Sequence, residues 1–186
     1  MAMEVRGTAV RATPLFVKQR FGDRMAEWLS TLGQKAREIM TGKIDTSAWY
    51  PLTEAMVEPT QAICQLFFEG RKDGAWELGR FSADYSLWGL YRLFVKMGSP
   101  MHLLDRATEA FGTYYRPSRL VLIERGPLRA VVRIEHFPQP HQMVECRIGG
   151  WIERGLEISG CQKVRVEIRS SLAAGDPYTE LVGEWS

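Results

Sequence analysis

Cysteine is scarce in this chain. Cys64, Cys146 and Cys161 are its only three, and no two of them form a Cys-x-x-Cys pair. An odd, sparse count argues against a disulfide scaffold and fits three reduced thiols packed as small hydrophobes. Histidine is equally rare: His102, His136 and His141 share no motif spacing. Charge of one sign is missing too, with 24 Lys and Arg against 22 Asp and Glu. A net charge of +2 is too small for a protein whose main partner is a polyanion, so no nucleic acid is expected. No apolar run approaches the ~20 residues that span a bilayer. The opening MAMEVRGTAVRAT lacks the apolar core of a signal peptide, so cytoplasmic residence is expected. There is no Gly-x-Ser-x-Gly, and no Gly-x-x-x-x-Gly-Lys follows Gly149-Gly150. Catalysis needs a nucleophile, base or metal held close to its partners. No such arrangement is visible, so no enzyme activity and no catalytic residue is expected.

What is present is a chain that is 45% hydrophobic and 11% aromatic, long enough for one sizeable core, and the expectation is a single domain over 1–186. Glu4 to Val10 alternates and predicts a short strand. Thr13-Pro14 predicts a helix start. Asp23 is placed to cap a second helix, which stops at Gly33, and a weaker helix covers Gln34 to Met40. Asp45 to Pro51 is a loop, and Thr53 to Phe68 is a helix that Pro59 must kink or restart. Asp73 to Met97 reads as a central helix with apolar residues on nearly every face, which places it in a core or at a subunit interface. Its stripe Gly79, Ser82, Ala83, Ser86 and Gly89 lets another helix approach closely or leaves room for a ligand. Ser99-Pro100 opens a helix running to about Tyr115.

The periodicity then changes. Leu120–Glu124 and Arg129–Phe137 read as strands around Gly126-Pro127, and His141 to Ile158 as a helix ending at Gly160. Cys161 to Arg169 alternates, and Gly175-Asp176-Pro177 turns the chain into a last strand from Thr179 to Trp185. The sum is an α+β domain: an N-terminal helical layer packed on a small antiparallel β-sheet with an inserted C-terminal helix.

Cys146, Gly150-Trp151, Gly155, Gly160, Val164, Glu167 and Gly175-Asp176-Pro177 resemble the C-terminal half of the 4-vinyl reductase domain. That fold is shared by the haem nitric-oxide-binding domains and the TRAPP small subunits. Val5-Arg6-Gly7, Trp49-Tyr50-Pro51 and Glu77-Leu78-Gly79-Arg80 bring the whole chain closer to a myxobacterial paralogous family of unassigned function built on the same fold. Phenol-sensing members of the 4-vinyl reductase group hold zinc with three cysteines and a glutamate. Cys146 and Glu167 fall near two of those positions, but Ser170 or Ser171 and Thr179 stand where the others belong, and hydroxyls are poor zinc ligands. Haem in the gas-sensing relatives needs a proximal histidine and a Tyr-x-Ser-x-Arg motif. His102 lies about where that histidine belongs, whereas Tyr114-Tyr115-Arg116-Pro117-Ser118-Arg119 has the letters without the spacing. Neither metal nor cofactor is expected.

The resemblance implies a non-catalytic sensor that holds a small apolar or aromatic ligand. Phe81, Tyr85, Trp88, Phe111, Tyr114, Cys146 and Trp151 are the expected pocket wall. The alternative is a ligand-free dimeric scaffold like the TRAPP small subunits, and a haem-based gas sensor is the third and less favoured reading. A homodimer is expected in the first two cases. With no output module in these residues, a separate signalling protein is expected as partner.

Overall fold

The computed structural model describes residues 2–87 and 99–186. Helices occupy the first half and a sheet the second. After β1 (Glu4–Arg6) come α1 (Gly7–Val10), α2 (Ala12–Arg20), α3 (Met25–Thr31) and α4 (Gln34–Thr41). Next are β2 (Trp49–Pro51), a π-turn at Thr53–Val57, α5 (Glu58–Phe67) and α6 (Asp73–Ser86). The second half has α7 (Pro100–Tyr114), β3 (Tyr115–Arg116), β4 (Arg119–Arg125), β5 (Arg129–His136), α8 (Gln142–Ile158), β6 (Arg165–Ser170) and β7 (Thr179–Glu184). Four antiparallel strands in the order β4-β5-β7-β6 form the main sheet. The α+β expectation holds, with α8 inserted between β5 and β6.

Several local expectations are corrected. The first strand ends at Arg6, opposite Trp49 where its partner strand begins, and Gly7 passes against the Asp45 carbonyl, where no side chain fits. The chain turns there into a helix. Trp49–Pro51 is not loop but an edge strand that pairs with β1, with Val5 opposite Tyr50. On its other side β1 pairs with β3, with Val5 opposite Tyr115, which ties the N-terminus to the end of α7. Thr13 does not cap a helix; α2 begins at Ala12 and Thr13 is buried within it. The Pro59 restart takes the form of a π-turn giving way to α5, with the proline in its first turn. The sixth strand starts only at Arg165.

Ser99 caps α7 as expected, its side chain accepting from the His102 amide. The start of α8 also falls where the sequence places it, and there His141 Nδ1 accepts from the Met143 amide. Val166 and Ile168 face inward while Arg165, Glu167 and Arg169 face out, as strand alternation requires. Among the described residues no helix is long and apolar enough to cross a membrane.

The described part of the central helix, α6, packs against α8. A Cβ on Gly79 would collide with the Arg147 carbonyl, one on Gly150 with the Trp76 carbonyl, and one on Gly149 with the Trp76 ring. The small stripe therefore admits a helix. The rest of the expected helix, from Trp88 and Gly89 to Met97, lies outside the described residues. Polar groups lock the edge of this contact: Trp76 Nε1 and Arg80 both reach Glu153, at 2.9 and 2.5 Å, and Arg80 also meets Glu157 at 2.9 Å. Leu78 and Ala83 complete the buried face of α6, and Leu87 is buried just past its end.

Gly150→Ala is expected to lower stability in urea unfolding by about 1–3 kcal/mol despite alanine's better helix propensity, because backbone rather than a flexible side chain must yield. Gly22→Ala, where nothing stands within 4 Å of the new Cβ, is the control and should change stability by less than about 0.5 kcal/mol.

Candidate functional site

The seven expected wall residues fall into separate neighbourhoods. Phe81 packs edge-on against Phe16, with ring centroids 5.4 Å apart, inside the helical layer. Tyr85 is exposed, and the Arg11 guanidinium stands 5.9 Å from its ring centroid. Trp151 is half-buried and donates its indole N–H to Ser86 Oγ at 3.2 Å, at the end of α6. Phe111 is buried elsewhere in the fold in a chain of rings, 5.1 Å from Tyr115, which lies 5.7 Å from Phe137. Tyr114 is exposed. Cys146 belongs to a small satellite cluster with Cys64 and Ala75. Trp88 lies outside the described residues. The structure thus brings Trp151 to Ser86, next in sequence to Tyr85, and holds Phe111 and Cys146 in other surroundings.

Sequence reasoning missed the two buried charges of α8. Arg147 has no carboxylate partner among the described residues, and residues 88–98 contain no Asp or Glu. Its guanidinium donates to Thr13 Oγ1 at 3.1 Å, Thr60 Oγ1 at 3.0 Å and the Ala9 carbonyl at 3.3 Å. Neutral dipoles from α1, α2 and α5 thus carry a full positive charge, and burial pulls its pKa down to about 10. Since that lies below the value of a free guanidinium, the buried charge opposes folding at neutral pH, and its penalty falls away only as pH climbs above about 10.

Glu145, two residues earlier, points to the opposite side of α8. Its carboxylate accepts from Ser171 Oγ at 2.6 Å, Thr179 Oγ1 at 2.5 Å and the Ala173 amide at 3.2 Å. Those are the two hydroxyl residues that stand near the missing zinc-cysteine positions, and here they serve a carboxylate. Cys146 and Glu167 do not meet: Glu167 lies on the outer sheet face, paired with Arg165 at 2.6 Å. Among the described residues no group of three or more His, Cys, Asp or Glu is gathered for a metal. The run Val144-Glu145-Cys146-Arg147 gives no cue that a glutamate and an arginine are both interior, because each alone reads as an ordinary helix charge.

Two small cavities flank α8. One, of about 10 Å³, is lined by Leu104, Val132, Ile152, Leu156, Val166 and Leu181, between α7, α8 and the sheet. The other, also about 10 Å³, lies under the start of α8 beside Phe137, His141, Val144 and Glu145. Each matches a water molecule at most, far below the ~300 Å³ of a small-molecule site.

No protein-family model matches the chain, and no curated protein matches it in sequence. Solved structures do. The H-NOX protein of S. oneidensis in its Fe(II)NO state superposes with a TM-score of 0.74 at 14% identity, over 97% of this chain and 99% of that one. Unliganded Fe(II) H-NOX from K. algicida gives 0.70 at 8% identity, over 97% and 96%. A mutant of T. tengcongensis H-NOX gives 0.60 at 15%, over 97% of each. At these identities the likeness is one of fold, and it falls on the haem nitric-oxide-binding branch of the expected group. The 4-vinyl reductase and TRAPP branches gain nothing from these matches.

The described residues do not fit a haem. All three histidines are described, and none is buried: His102 and His136 are exposed, and His141 caps α8. The core face of α7 presents Leu103, Leu104 and Phe111. Ser118 Oγ is spent on the Tyr115 carbonyl at 2.6 Å, and Arg119 pairs with Glu135 at the surface, so the Tyr-Ser-Arg letters form no propionate grip.

Arg147→Met, which keeps volume and removes the charge, should leave urea stability within about 1 kcal/mol or raise it. Arg147→Ala should lose about 2–5 kcal/mol to the cavity it opens. Glu145→Ala strands two hydroxyls and an amide, so stability should fall by about 1–3 kcal/mol and hydrogen exchange at Ala173 should quicken.

Proposed function

We propose that residues 1–186 act as one haem-independent sensor module, non-catalytic, that passes its signal to a separate partner protein. The observation that carries this reading is the aliphatic core face of α7 within an H-NOX-like architecture: Leu103, Leu104 and Phe111 point inward while His102 stays outside. A helix without an inward imidazole gives iron no axial nitrogen. The α6–α8 contact and the N-terminal tie through β1 support the sensing half, because both join the helical layer to the second half of the chain.

The stimulus in this reading is a small apolar or aromatic compound at the C-terminal end of α6. Tyr85 is exposed there, and Trp151 is half-buried with its indole nitrogen tied to Ser86. An aromatic surface with a few fixed polar groups suits such ligands.

Two titrations test the proposal. Anaerobic addition of ferrous haem to purified protein should give the spectrum of free haem, unchanged from a protein-free control on exposure to NO or CO. A stoichiometric, protein-dependent and ligand-responsive Soret band would refute haem independence. Thermal-shift screening with aromatic and fatty-acid compounds should raise the unfolding midpoint for a subset, and Trp151→Ala should abolish that rise.

A further inference from the structure

Cys64 and Cys146 are buried with Ala75 in a satellite cluster beside the main core, and Met143 packs against it. Cys64 comes from the last turns of α5, and Met143 and Cys146 sit three residues apart on one face of the first turns of α8. The Cys64 thiol points at the Met143 thioether, with 3.6 Å between the sulfurs. Met143 is half-buried at the edge of the cluster. This cluster stands apart from the Glu145 hydroxyl group, which faces the sheet from the other side of α8.

We propose that Cys64, Met143 and Cys146 form a binding site for a soft monovalent d10 metal ion, cuprous copper. Thiolate and thioether sulfur select Cu(I), which accepts two or three ligands, whereas zinc asks for four. Binding breaks two S–H bonds, releases two protons to solvent and forms two Cu–S bonds, with the thioether as third donor; no oxidation state changes. The metal centre then carries a net charge of −1. Arg147 lies within electrostatic reach of Cys64, and Lys72 within reach of Cys146. Of the carboxylates nearby, Asp73 is paired with Arg71, while Glu145 keeps its charge among neutral donors. Arg147 and Lys72 are cations with no carboxylate pair among the described residues, and an anionic metal centre lies within reach of both. The buried thiols are neutral without metal, since burial pushes Cys146 up to about 11 and Cys64 in the same direction.

The test is an anaerobic Cu(I) titration of the reduced full chain against bicinchoninate. One equivalent should be withdrawn from the chelator, with a thiolate-to-copper absorption band and a raised unfolding midpoint. Cys64→Ala and Cys146→Ala should each abolish this, Met143→Leu should weaken it about tenfold (~1.4 kcal/mol), and Cys161→Ala should change nothing. Circular dichroism confirms the fold of each variant. X-ray absorption on the unaltered protein should show copper with sulfur neighbours only, which keeps the test decisive if a variant fails to fold. No withdrawal of copper, a nitrogen or oxygen first shell, binding that follows Cys161, or tighter binding of Zn(II) at the same cysteines would overturn the assignment.

Discussion

The contact between α6 and α8 sets the geometry of the rest. Two helices can approach this closely only where side chains are absent, and Gly79, Gly149 and Gly150 remove them at the crossing. The Trp76 ring then lies across Gly149 while its indole nitrogen reaches Glu153. One tryptophan thus fills the space that glycine leaves and ties the two helices at their edge. With α8 fixed on the helical layer by one face, its opposite face is free to bury Ile152 and Leu156 toward the sheet.

This central placement explains why α8 can keep two charges inside. Arg147 looks into the helical layer and Glu145 toward the β6–β7 turn, and each is met by hydroxyl and backbone groups instead of by an opposite charge. Buried charge without a counter-ion is expensive, and polar neighbours on several elements must converge to make it tolerable. Arg147 consequently organises α1, α2 and α5 around α8, while Glu145 holds Ser171, Ala173 and Thr179 in place. The same helix therefore links both layers by packing and by polar contact.

Much of this architecture is legible in the residues. The change from helical spacing to alternation after Pro117, the Ser99-Pro100 helix start, and the Gly175-Asp176-Pro177 turn all carry local signals that the structure keeps. Where the reading fails, a distant partner decides. Position 7 must be glycine because of the Asp45 carbonyl, and Trp49–Pro51 becomes a strand because β1 offers an edge. The small stripe on α6 is visible in sequence, but its complement, Gly149-Gly150, has no local mark of being the other half. The site is less legible than the fold. Phe111, Cys146 and Trp151 are apolar residues of the right kind, yet nothing local tells that they serve three different neighbourhoods, and Glu145 and Arg147 look like surface charges until tertiary packing encloses them.

The account makes the interior between α7, α8 and the sheet a place filled by the chain's own aliphatic side chains, in an architecture like that of the Fe(II) H-NOX structures. Methyl–methyl nuclear Overhauser effects test this most directly. Leu104 should show strong cross-peaks to Val132, Leu156 and Leu181, and these should be the same with and without added haem. Absence of those cross-peaks, or their replacement by contacts to a bound macrocycle, would contradict the account.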